Sequence, residues 1–194
     1  MLRKTIVAAV FALAAIAPAI GQEAVDHLGI GDPISFGGTA YDLAWSSQPS
    51  PGYTKQEYLP EGAALESYES MVLVEFLATD LPISDVVAAQ MAMIEQRKAA
   101  DPIANFAVFE NAEQGEILLD FVLSAKDANG EYIIEWNGYR YSAGEHEGQK
   151  GALLFAISER AYGNAASEEF LRGLRDFKTQ RTTELTNAAL PQPR

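Results

Sequence analysis

From Ala40 onward, apolar and polar residues alternate in short runs broken by turn formers, the pattern of a chain built mostly from strands. Tyr41, Leu43 and Trp45 hold alternate positions, Ser46 to Gly52 is dense in serine, proline and glycine, and Tyr53 to Leu59 resumes an extended, aromatic pattern. This predicts a hairpin with a long loop, closed by Pro60-Glu61-Gly62. Met71 to Ala78 predicts a third strand. Val72, Val74 and Phe76 take one of its faces and Met71, Leu73 and Leu77 the other, so both faces need cover.

A period near 3.6 replaces the alternation at Val87, Met91 and Ile94. Ser84 stands as N-cap with Asp85 in the first turn, and Asp101-Pro102 stops the helix. Phe106 to Glu110 and Glu116 to Ala125 read as strands, the second apolar on both faces and so central. Lys126 to Gly130 is a turn leading into an antiparallel partner at Glu131 to Trp136. Tyr139 to Ala143 and Ala152 to Tyr162 continue as strands joined through Gly144 to Gly151. Asn137-Gly138 is either a tight hairpin turn or a bulge within one long strand, with the bulge favoured. A last helix, capped by Ser167 with Glu168 and Glu169 at its positive end, carries the stripe Phe170, Leu171, Leu174 and Phe177. Residues 40–187 therefore form one α+β domain with a largely antiparallel sheet and helices laid against it. Residues 22–39 are an irregular lead-in with at most a short strand at Ile34 to Phe36. Residues 188–194 are a disordered tail.

The first 21 residues change the picture. Arg3 and Lys4 precede an apolar run from Ile6 to Ala17, and Ala19-Ile20-Gly21 offers small residues for a signal peptidase. The run is about a dozen residues, short of the roughly 20 that span a membrane. We expect an exported, periplasmic protein cleaved near Gly21, without membrane insertion. The net charge of −13, more negative still once the leader is lost, disfavours nucleic acid and anionic lipid as partners. Without cysteine, there is neither disulfide nor thiol chemistry.

Two short blocks, Tyr53-Thr54-Lys55-Gln56-Glu57-Tyr58-Leu59-Pro60-Glu61-Gly62 with Leu65-Glu66-Ser67-Tyr68 and Met71-Val72 behind it, and Glu135-Trp136-Asn137-Gly138-Tyr139-Arg140-Tyr141 with Arg160-Ala161-Tyr162-Gly163 later, carry a resemblance. They resemble small uncharacterised exported proteins of Gram-negative bacteria. The order of elements is similar to the α/β/α sandwich of the photosystem II extrinsic subunit PsbP and its bacterial relatives. The resemblance implies that sandwich fold and a docking or assembly role, and brings no catalytic residues with it.

The residue inventory points away from most chemistry. Only His27 and His146 are present, and Glu145-His146-Glu147 sits in a glycine-bounded connection better read as solvated than as a metal site. Asp127 to Glu131 has its glycine at the wrong position for a calcium loop. Nucleophile-elbow, phosphate-loop and dinucleotide motifs are missing, and no cofactor is expected. What remains is a set of acids interrupting apolar strands, Glu75, Asp120 and Glu135, which either line a cleft as acid and base or blunt strand ends.

Trp45, Tyr53, Tyr58, Tyr68, Trp136, Tyr139 and Tyr141, with Glu57, Glu61 and Arg140 among them, have the composition of a recognition surface. Tyr58, Glu61, Trp136 and Arg140 are the residues assigned to it. Arg181 falls within the apolar arc of the last helix, so either the helix overhangs the domain after Phe177 or Arg181 and Leu185 dock on another protein. The expected function is a non-catalytic accessory module docking on another envelope protein. The alternative is a small-ligand binder or carboxylate enzyme with a pocket at a sheet end.

Overall fold

The computed structural model describes residues 24–194, so the expected leader and its expected cleavage near Gly21 lie outside the described residues. Eight strands and two helices follow in the order β1 (Ile34–Phe36), β2 (Thr39–Ser50), β3 (Tyr53–Pro60), β4 (Ser70–Ala78), α1 (Ile83–Arg97), β5 (Asn105–Asn111), β6 (Glu116–Lys126), β7 (Tyr132–His146), β8 (Gln149–Tyr162) and α2 (Asn164–Asn187). The strands make one sheet, ordered β1-β2-β3-β4-β8-β7-β6-β5. Every neighbouring pair is antiparallel.

This overturns the expected PsbP-like α/β/α sandwich of α+β class. With 46% of the described residues in strands against 23% in helices, they form a β-rich half-barrel on which two helices rest, not a sheet enclosed between helical layers. The physical reason is strand length. β7 and β8 run 15 and 14 residues, and the glycine-bounded segment expected to be a loop between them is sheet, with the turn confined to Glu147 and Gly148. Both turn residues have positive φ, 49° and 75°, which suits a two-residue hairpin.

Asn137-Gly138 is neither turn nor bulge. Pairing runs unbroken through it on both sides, Asn137 opposite Phe121 and Ser158, Gly138 opposite Asp120 and Ile157. Glycine is used here for room: a Cβ would stand 2.9 Å from the Trp136 ring and 3.4 Å from Leu185. Gly151 is tighter, its added Cβ falling 2.1 Å from the Leu77 carbonyl oxygen on β4. Gly151→Ala is therefore expected to destabilise the fold by about 1–3 kcal/mol, measured by urea unfolding, because two central strands must part.

The two faces hold separate cores. α1 lies over β5, β6 and β7, its Val87 and Ile94 packing with Leu73, Leu119, Phe121, Tyr139 and Ala156. On the opposite face α2 packs on β7 and β8, where Leu185 meets Val72, Trp136, Phe155 and Ile157. Neither expected serine cap acts as one: α1 starts at Ile83 behind Pro82, and Ser167 sits inside α2, donating to the Tyr132 carbonyl. The helix does not overhang after Phe177, since Leu185 is fully buried and Arg181 turns to Glu159 (2.7 Å) and Glu184 (2.9 Å). In the lead-in, Leu28 is buried in the α2-face core and its N–H donates to Gln56 Oε1. The last residue returns to it, Arg194 N–H donating to the Leu28 carbonyl at 2.9 Å.

Candidate functional site: the tyrosine and carboxylate rung

Strand alternation puts Tyr53, Lys55, Glu57 and Leu59 of β3 on the α1 face and Thr54, Gln56 and Tyr58 on the α2 face. Register then builds one rung across the sheet: Ser47 opposite Lys55, Lys55 opposite Glu75, Glu75 opposite Leu154, Leu154 opposite Tyr141. Glu57 lies diagonally across from Glu75, a Cα spacing of about 7–8 Å. Two acids thus share one stretch of sheet, and both are only 5% exposed.

One lysine serves them both. Lys55 Nζ lies 2.9 Å from Glu57 Oε1 and 4.0 Å from Glu75 Oε1, and 5.8 Å from the centre of the Trp45 ring. Tyr53 donates its hydroxyl proton to Glu75 Oε2 at 2.7 Å. Glu57 Oε2, Glu75 Oε1 and Ser47 Oγ are buried and have no hydrogen-bond partner among the described residues. Buried polar atoms are ordinarily paired, so three such oxygens on three adjacent strands stand out. Burial pushes the Glu75 carboxyl up to about 7, with the Glu57 charge adding to the shift against the pull of Lys55 and Tyr53. Burial also raises the Tyr53, Tyr139 and Tyr141 hydroxyls well above their ordinary range, and the Glu75 charge adds to it, so they stay neutral donors.

The other acids expected to act do not join Glu75. Glu135 is six residues from Tyr141 along β7, roughly 20 Å from this rung, and its oxygens are already taken. They accept from Tyr68 (2.7 Å), Asn137 (3.1 Å) and Arg160 Nε (2.7 Å), while the Arg160 guanidinium also stacks 4.1 Å over the Tyr68 ring. Asp120 lies on the α2 face, held by Trp136 Nε1 (2.7 Å) and Lys178 (2.6 Å). A carboxylate pair drawn from Glu75, Asp120 and Glu135 is therefore not assembled.

Nor do the residues assigned to a recognition surface form one. Tyr58 and Trp136 are fully buried in the α2-face core, and Tyr58 OH accepts from Gln56 Nε2. Arg140 is buried too, clamping both oxygens of Glu116 (2.9 Å each) and the Leu185 and Ala188 carbonyls (2.9 and 2.8 Å). Glu61 is exposed in the turn after β3, and Arg181 is occupied by its two glutamates. Sequence reading missed Lys55, Glu57 and Ser47 as site residues. Their signal was that β3 alternates without segregating, polar groups falling on both faces.

At the β7–β8 hairpin, on the α2 face, a cavity of about 370 Å³ is lined by Ser142, His146, Leu153, Leu190 and Arg194 among others. Ser142 Oγ and His146 Nδ1 are buried there without partners among the described residues, and the His146 ring meets Phe76 edge-on. No group of three His, Asp or Glu side chains among the described residues is arranged to hold a metal, and none of their helices is long and apolar enough to cross a membrane.

A protein-family model matches residues 28–190, from the buried Leu28 to the end of the α2 packing. No curated protein and no solved structure matches the chain.

Proposed function

We propose that this chain, which belongs to the uncharacterised protein family matched over residues 28–190, binds a small polar ligand on the α1 face of its sheet without catalysing a reaction on it. The single observation that carries this reading is the trio of unpartnered buried oxygens, Ser47 Oγ, Glu57 Oε2 and Glu75 Oε1, beside the neutral hydroxyls of Tyr53 and Tyr141. A binding site needs a few polar groups fixed in place, and the register of the strands fixes these. Glu135 and Asp120, the other acids expected to serve in catalysis, are both held by other partners away from Glu75. The apolar leader over residues 1–21 supports a periplasmic setting.

The test is a thermal-shift screen of small polar compounds at pH 7.5. Some compounds are expected to raise the midpoint, and Glu57→Gln and Tyr141→Phe should each remove at least half of that rise. Hits that survive both changes undiminished would contradict the site.

Docking on another envelope protein is a second reading, and one observation favours it: β5 is an edge strand, and Phe109 on it stands 55% exposed. A photo-crosslinker at position 109 is expected to capture one envelope protein in cells of the native host. An adduct-free result would remove that reading.

A further inference from the structure

Resting on the ligand-binding reading, we infer that the occupant is an organic cation with a single primary ammonium, seated between Glu57 and Glu75 in place of the proton on Glu75. Charge counting carries the step. Two buried carboxylates share one lysine, and among the described residues no other cation pairs with either. An uncompensated buried charge is strongly unfavourable, so the second carboxylate needs either a proton or another cation.

The unpartnered atoms fit an ammonium. It offers three N–H donors and accepts nothing. The rung offers three oxygens that accept no hydrogen bond among the described residues, two of them on carboxylates. Lys55 shows that the rung already holds one such group, against Glu57 and over the face of Trp45. An anion would meet two acids inside a protein of net charge −13. A divalent metal would sit beside the Lys55 ammonium with too few acidic ligands, no three-membered group being present among the described residues.

The groups facing Glu75 decide the pH behaviour. From β3 they are Lys55, Glu57 and Tyr53. From β7 they are Tyr139 and Tyr141, both neutral, and from β8 the rung neighbour is Leu154, which does not titrate. With Glu75 changing charge near 7, proton and ligand compete below that pH and not above it. Affinity is therefore expected to be about tenfold higher at pH 8 than at pH 6. Binding at pH 6 should release close to one proton, and at pH 8 almost none.

The experiment is calorimetric titration of the full protein with n-butylammonium and, as the neutral control, n-butanol, at both pH values and in two buffers of different ionisation enthalpy. The expected result is binding of butylammonium alone, with the proton release above. Glu75→Gln, which keeps an acceptor for Tyr53, should abolish both the release and the pH dependence while circular dichroism shows the fold intact. Equal binding of butanol, or no proton release, would overturn the cation assignment and leave the ligand-binding reading standing. Absence of butylammonium binding would also overturn it, and the ligand-binding reading falls with it only if the thermal-shift screen is empty as well.

Discussion

Arg140→Ala is expected to cost about 3–5 kcal/mol of folding stability, the effect of breaking a buried ion pair by removing one partner. Arg140 reaches inward from β7 and does two jobs with one guanidinium. Nε and Nη2 take both oxygens of Glu116 on β6, and Nη1 takes the carbonyls of Leu185 and Ala188 at the end of α2. A helix leaves its last carbonyls without intrahelical donors, so this contact caps α2 from the sheet. Alanine strands the Glu116 carboxylate, whose side chain is only 12% exposed, and uncaps the helix in the same step. Lysine supplies charge without the planar fork and is expected to recover less than half of the loss. Urea unfolding measures it, with Arg172→Ala as the control. The Arg172–Glu168 pair lies largely in solvent on α2, so its loss should fall within about 0.5 kcal/mol.

Glu75→Gln is expected to act in the opposite direction, stabilising the protein at pH 8 by about 3 kcal/mol. A glutamate ordinarily titrates near 4.5, and burial carries Glu75 to about 7. Between those values the folded state binds more protons than the unfolded chain, so native stability falls as pH rises through that window. Above pH 7 the full cost of ionising a buried acid is in place, and below about pH 4.5 it is absent. Glutamine has no charge to place, keeps an oxygen for the Tyr53 hydroxyl, and so removes the penalty. The difference between variant and native protein should grow from near zero at pH 4 to its full value at pH 8, read from urea midpoints at three pH values. A constant difference across that range would show that Glu75 does not titrate in the folded state.

Alternation and helical period disclosed where the strands and helices lie, because those signals come from burial repeating along each element. Glu75 was legible for the same reason, an acid interrupting β4 where apolar residues hold both faces. The sandwich reading failed at the connections. Gly144 to Gly151 has loop composition, yet pairing from His146–Gln149 inward keeps it in the sheet. Asn137-Gly138 is a turn dipeptide in isolation, but here the glycine makes room for the Trp136 ring, and tertiary packing overrides the local preference. Tyr58, Trp136 and Arg140 were misread because a sheet covered on both faces uses the same aromatics and arginines inside that a binding surface uses outside. Glu57 was visible only as one charge among aromatics, since its position diagonal to Glu75 depends on the register of β3 against β4.

With one lysine between Glu57 and Glu75, the proposed ligand stands in for a counter-charge that one of the two carboxylates otherwise lacks. The most direct measurement is a carbon-13 NMR titration of the side-chain carboxyls from pH 4 to 9, with the Glu75 signal assigned by its disappearance in Glu75→Gln. A Glu75 midpoint near 7, falling when n-butylammonium is added, is the expected result. A midpoint near 4.5, unmoved by the amine, would contradict it.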